Sequence, residues 1–200
     1  MIGKAAIGKI APAFEAVAWH NGFKHVKLSD YTNQYLVLFF YPLDFTFVCP
    51  TEIVQFSTLY NKFKSEGCEV LGCSVDSQYT HMEYTKKPRK EGGLGEINFP
   101  LIADISKQIS NDYGVTADGS ISYRGTFLID KEQKLRHFSV NDLPIGRNAE
   151  EYLRLLQAVK HNDKYGEVCP ASWKPGADAM EGSHDSDKTK TYWEKVHTQK

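Results

Sequence analysis

Phe-Tyr-Pro-Leu-Asp-Phe-Thr-Phe-Val-Cys-Pro-Thr-Glu, residues 40–52, marks the place where a buried strand ends and a helix begins. Upstream, Tyr35 to Phe40 carries the continuous apolar run Leu36, Val37, Leu38, Phe39 and Phe40, the pattern of a strand covered on both faces. Pro42 stops it. Pro50 suits the first helical position, where its missing N–H costs nothing. Beyond it Ile53, Phe56, Leu59, Tyr60 and Phe63 recur at helical spacing with polar residues between them. Cys49 therefore sits at a helix N-terminus. Unpaired backbone N–H groups and the positive end of the helix dipole there favour a thiolate over a thiol, which is the environment of a reactive cysteine.

Working outward, strands and helices alternate after residue 30. Glu69 to Val75 reads as the next strand, Ser77 to Glu91 as a mostly helical segment, and Gly92-Gly93-Leu94-Gly95 breaks the chain. Phe99 to Ile102 is a short extended piece, and Ser106 to Tyr113 a short helix ended by Gly114. Gly125 to Ile129 and Leu135 to Val140 read as a hairpin, and Ala149 to His161 as an amphipathic helix. Alternating elements that close on a hairpin predict an α/β layer fold with a mixed sheet. From Asn162 the composition changes to an extended arm with Pro170, Pro175, Gly176 and Gly182, ending in a short helix over Lys188 to His197. The predicted division is a domain over 1–161 and an arm over 162–200.

Composition narrows the function. The 200 residues hold 41% apolar residues, enough for a sizeable core, and a formal net charge of −1. A mixed surface of that kind argues against nucleic-acid binding. The one basic run, Lys86-Lys87-Pro88-Arg89-Lys90, reads as a solvated helix end. No segment is apolar enough to span a membrane, and the first residues, interrupted by Gly3, Lys4 and Gly8, do not read as a signal peptide. A cytoplasmic protein is the expectation, with its four cysteines mostly reduced and any disulfide catalytic.

The other cysteines sort by position. Five extended residues put the Cα atoms of Cys68 and Cys73 roughly 16 Å apart on opposite faces, and a disulfide needs about 7 Å or less. Both read as packing residues. Cys169 lies in the irregular arm, in Gly-Glu-Val-Cys-Pro, residues 166–170, free to be carried to a partner thiol. The absence of close Cys-x-x-Cys pairs argues against a structural zinc site and against a dithiol oxidoreductase of the thioredoxin kind.

Pro42 to Cys49 matches the Pro-x-x-x-Thr-x-x-Cys motif of the peroxiredoxins, and the fuller run to Glu52 resembles their typical 2-Cys branch. Val168-Cys169-Pro170 resembles the branch's resolving-cysteine motif, and Gly92-Gly93-Leu94-Gly95 the loop of its peroxide-sensitive members. The likeness runs from about residue 7 to the tail, with the motifs in order. It implies a thioredoxin fold with an N-terminal extension and a C-terminal arm. It implies reduction of hydrogen peroxide and alkyl hydroperoxides in cell redox homeostasis, with electrons from thioredoxin or a similar dithiol protein and no metal, haem or flavin cofactor. By position, Cys49 is implied as peroxidatic and Cys169 as resolving. Thr46, Arg124 and Pro42 are implied to complete the peroxide site, with Glu52 and Arg147 holding Arg124 and the loop. Homodimers assembling into a ring of dimers, a decamer, are implied, and some members of the family act as holdases. One departure stands out: sensitive members carry Tyr-Phe near the C-terminus, and this chain has Tyr192-Trp193. The retained aromatic bulk implies the same packing over the Cys49 helix.

Overall fold

A computed structural model describes residues 3–198. Its elements run β1 (Glu15–Trp19), β2 (Phe23–Lys27), β3 (Tyr35–Phe40), α1 (Cys49–Ser65), β4 (Cys68–Ser74), α2 (Gln78–Lys86), β5 (Leu101–Ala103), α3 (Gln108–Asp112), β6 (Thr116–Ala117), β7 (Ile121–Ser122), β8 (Arg124–Ile129), β9 (Leu135–Asn141), α4 (Ala149–Tyr165) and α5 (Asp187–Thr198). Seven strands form one sheet in the order β2-β1-β5-β4-β3-β8-β9. It is mixed: β3–β4 and β4–β5 are parallel, and β3–β8, β8–β9, β1–β2 and β1–β5 antiparallel.

The central strand β3 is buried at every position, as its apolar run predicts. Leu36, Leu38 and Phe40 face one side and join a cluster with Leu71, Ile102, Ile109, Tyr113 and Phe127. Val37, Phe39 and Tyr41 point the other way by strand alternation. There Phe39 stacks on Phe56 of α1 with ring centroids 4.4 Å apart. The helix predicted from Ile53, Phe56, Leu59 and Phe63 buries those side chains. It starts at Cys49 itself, so Pro50 occupies its second position rather than its first. Cys68 and Cys73 both lie buried in β4, and Cys73 belongs to the apolar cluster. Burial pushes the Cys73 thiol well above its ordinary range.

Two hairpins add to the sequence reading. In the N-terminal extension β1 and β2 form a hairpin whose inner strand bonds to β5. Its loop carries Asn21 and Gly22 at positive φ, a turn signal present in the sequence. A second small hairpin, β6–β7, turns at Asp118 and Gly119, also at positive φ. The Gly92–Gly95 break folds back on the end of α2: Leu94 N donates to Tyr84 O, and Gly95 N to Lys87 O. Gly93 is required there, because a Cβ would lie 2.1 Å from the Lys87 carbonyl oxygen. Arg89 of the basic run donates to the Leu94 and Glu96 carbonyls, so one of its cations is structural.

The chain forms two compact units, residues 1–149 and 150–200, dividing at the start of α4 where the sequence reading divides after His161. In the second unit the arm makes a single antiparallel bridge between Val168 and Met180. Trp173 is buried, its Nε1 donating to Ala177 O and its carbonyl accepting from Arg154.

Candidate active site

The loop after β3 is folded by a buried polar network. Tyr41 N continues the ladder onto Cys73 O. Its hydroxyl donates to Asp44 Oδ1 at 2.8 Å, and His81 Nδ1 lies 2.7 Å from Asp44 Oδ2. The far nitrogen of His81 lies 3.1 Å from Ile102 O. Asp44 N donates to Asp76, whose carboxylate also accepts from Ser74. Burial raises the Asp44 carboxyl above its usual range, opposed by His81. Anchored in this way, the loop turns through Phe45 at φ +55°, a left-handed conformation uncommon for a bulky side chain. Phe47, two residues on, is 90% exposed.

The turn delivers Cys49 to the first position of α1, with the thiol 1% exposed. Val48 caps the helix without a side-chain bond, and its carbonyl accepts from Thr51 and Glu52. Arg124, the first residue of β8, places Nη1 3.4 Å from Cys49 Sγ and 2.8 Å from Glu52 Oε2. Its Nε donates to Leu143 O at 2.7 Å. Glu52 lies one helical turn below Cys49 and is 2% exposed. Arg147 closes on it from the far side: Nε donates to Oε1 at 2.8 Å, Nη2 to Oε2 at 3.0 Å, and the backbone N to Oε1 at 2.9 Å. Nη1 of Arg147 donates to Gly125 O at 2.7 Å. Both guanidinium groups thus have their directions fixed by backbone carbonyls as well as by the carboxylate.

Five of the seven residues singled out from sequence share this region by direct bonding or chain proximity: Cys49, Glu52, Arg124, Arg147 and Thr46. The Thr46 hydroxyl donates to Leu43 O at 2.9 Å within the loop. Pro42, the sixth, is buried just after Tyr41. Cys169 lies in the second unit, partly buried, its Sγ 3.6 Å from Ala158 O. Burial, and then the Glu167 charge, push its thiol above the ordinary range, opposed by Arg154. Sequence reasoning missed Tyr41, Asp44 and His81. The Tyr-Pro-Leu-Asp spacing offers a local signal for the first two; His81 offers none.

A mixed α/β sheet, with a cysteine buried at a helix start against a guanidinium and four thiols free, defines a thiol enzyme of thioredoxin-like fold. The comparisons with known proteins agree. The model of the AhpC/TSA family matches residues 7–138, and that of the C-terminal domain of 1-Cys peroxiredoxin matches residues 158–195. Peroxiredoxin-2 of Macaca fascicularis is 57% identical over 188 residues, 93% of this chain and 95% of that protein. The reduced 2-Cys peroxiredoxin of Plasmodium vivax superposes with a TM-score of 0.88 at 46% identity, covering 89% of this chain and 94% of that one. Plasmodium yoelii thioredoxin peroxidase I gives a TM-score of 0.77 at 46% identity over 86% of this chain and 100% of that one. The chain belongs to the AhpC/TSA family, as a typical 2-Cys peroxiredoxin, and is a thiol peroxidase of α/β thioredoxin-like fold.

Proposed function

We propose that Cys49 is the peroxidatic cysteine and Cys169 the resolving one, in reduction of hydrogen peroxide and alkyl hydroperoxides. The observation that carries this is a charge count. The buried cluster holds two guanidinium groups, Arg124 and Arg147, and one carboxylate, Glu52. One positive charge is left over, and Arg124 directs it at the Cys49 sulfur. A thiolate at Cys49 neutralises the site; a neutral thiol leaves a buried cation uncompensated.

The Cys49 thiolate attacks one peroxide oxygen, the O–O bond breaks, and the second oxygen takes up a proton and leaves as water or alcohol. Negative charge spreads over two oxygens in the transition state, and donors fixed in advance along that line lower its energy. Arg124 supplies them. Thr46 has committed its one hydroxyl proton to Leu43 O, so toward peroxide it is an acceptor, suited to the peroxide O–H. Pro42 contributes bulk that excludes water from the sulfur.

The Cys169 thiolate then attacks the sulfur of the Cys49 sulfenic acid, a disulfide forms, and the S–O bond breaks, the hydroxide taking up a proton, the one Cys169 gave up on ionising, to leave as water. Thioredoxin or a similar dithiol protein returns the two electrons. The name of the similar Plasmodium yoelii protein, a thioredoxin peroxidase, supports that reductant. A homodimer is supported by β9, the edge strand of the sheet, whose Phe138 and Val140 are exposed; a ring of such dimers is the larger assembly we propose. No helix among the described residues is long and apolar enough to cross a membrane. Four free thiols suit a reducing compartment such as the cytoplasm.

The test is peroxide consumption by Cys49→Ser. Turnover is abolished while circular dichroism and the melting curve stay near wild type. Substantial turnover in the folded variant would overturn the assignment.

A further inference from the structure

Resolution requires Cys169 to leave its place, and the structure shows what holds it there. After α4, Gly166 turns the chain at φ +69°, and residues 167–169 run beside residue 180 through the paired bonds between Val168 and Met180, 2.8 and 3.0 Å long. The Cys169 thiol rests on Ala158 O. The third hold is Glu167. One carboxylate oxygen lies 2.7 Å from His161 Nε2 of α4, and the other accepts from Lys188 Nζ in the first turn of α5. His161 is itself packed between Tyr165 and Trp173, each ring centroid 4.8 Å away. The Glu167 side chain is 19% exposed, and Lys188 followed by His161 hold its carboxyl below the usual range. Glu167 stands two residues before Cys169 in an extended stretch, so both side chains leave the same face of the strand. What fixes one fixes the other.

We propose that Glu167 is the positioning residue of the resolving step: its carboxylate, shared between His161 and Lys188, clamps the Cys169 segment, and opening of this clamp limits disulfide formation. The proposal rests on the reading of Cys169 as the resolving cysteine. A disulfide brings two sulfurs to about 2 Å of each other, so the thiol has to quit Ala158 and the segment has to swing free of α5. Each protein whose Cys49 has been oxidised to sulfenic acid therefore waits for an ion pair to break. A second peroxide arriving in that interval carries Cys49 to sulfinic acid. Because the Lys188 ammonium is 42% exposed, the clamp loosens with added salt, which a purely apolar packing contact would not do.

The experiment mixes fully reduced, full-length protein with one equivalent of hydrogen peroxide. Samples are quenched with a thiol-blocking reagent over time, and the Cys169 disulfide and Cys49 sulfinic acid are quantified by peptide mass spectrometry. Wild type is compared with Lys188→Gln, Glu167→Gln and Cys169→Ser at low salt and at about 1 M salt. Disulfide formation accelerates by about threefold or more in both clamp variants at low salt. Sulfinic acid per turnover falls, and salt brings wild type up to the variants. Amide exchange of residues 166–170 quickens in both. Lys188→Gln is the decisive arm. It removes a positive charge and cannot favour the Cys169 thiolate, so acceleration there reports release of the segment. An unchanged or slower rate in Lys188→Gln, or unaltered amide exchange, overturns the clamp while leaving the cysteine assignment intact. Absence of any Cys169 disulfide in peroxide-treated wild type overturns the cysteine assignment, and the clamp with it.

Discussion

In the mechanism we propose, Arg124 is the side chain on which the chemistry turns, because it touches both the sulfur and the carboxylate that orients it. Glu52 is buried between two cations, and removing the carboxylate would leave both uncompensated, which is strongly destabilising. Arg124→Gln leaves a neutral donor on a shorter side chain and takes away the surplus charge. Its rate constant for reaction with peroxide falls by about two orders of magnitude, the size expected for losing a preorganised donor in a water-excluded site. Stopped-flow measurement against hydrogen peroxide checks this, with a melting curve to show that Arg147 still holds Glu52. Cys169 makes a second prediction at this scale. Burial and the Glu167 charge keep its thiol above the ordinary range, so at neutral pH only a small fraction is thiolate, the form that attacks sulfenic acid. The resolving rate therefore rises as pH is raised from 6.5 to 8.5, on the rising limb of thiol ionisation. Rapid-quench measurement of disulfide at a series of pH values decides it; a flat profile means that ionisation of Cys169 does not enter the rate.

The elements divide into those that hold Cys49 in place and those that must yield. α1 is anchored at its middle by the Phe56–Phe39 stack, and the Arg147 guanidinium lies 5.3 Å from the Phe39 ring centroid. Its first turn is anchored by the loop network around Asp44 instead. That loop is held in a strained turn at Phe45, and such strain persists only while its surroundings enforce it. The Gly92–Gly95 loop is bonded to the end of α2, and α5 carries Tyr192 and Trp193 with ring centroids 5.5 Å apart. The family resemblance implies that these aromatic rings brake the unwinding of α1. Truncation before Tyr192 removes the brake. The truncated protein forms disulfide faster and keeps its activity at high peroxide, while the full chain loses activity as Cys49 gains two oxygens. Activity through successive peroxide additions, with the mass of the Cys49 peptide, checks this. Equal inactivation of the two proteins removes Tyr192-Trp193 from the account.

For the whole molecule the reading is an assembly that cycles through a disulfide between subunits. One equivalent of peroxide converts wild type to a disulfide-linked dimer on a non-reducing gel, and Cys169→Ser abolishes the band. A monomeric Cys49–Cys169 disulfide, found by peptide mapping, would place the bridge within one chain.

Much of this architecture is legible in local sequence. The apolar run over Tyr35 to Phe40, the helical spacing from Ile53 to Phe63 and the β8–β9 hairpin are each determined by contacts with near neighbours or by the demand that both faces be buried. The position of Cys49 at a helix start follows from the same signals. The β1–β2 hairpin was signalled by Asn21-Gly22, yet its short, half-exposed strands lack a strong apolar pattern. What only the tertiary structure decided is the guanidinium set against the sulfur. Glu52 meets Arg124 across 72 residues and Arg147 across 95, and Arg124 meets Cys49 across 75. Periodicity records which face of an element is buried, and it carries no information about which buried charges will share a site. That is settled by strand order and by the cost of an unpaired ion out of water. Placing β8 beside β3 is what sets a guanidinium against the thiol at the head of α1.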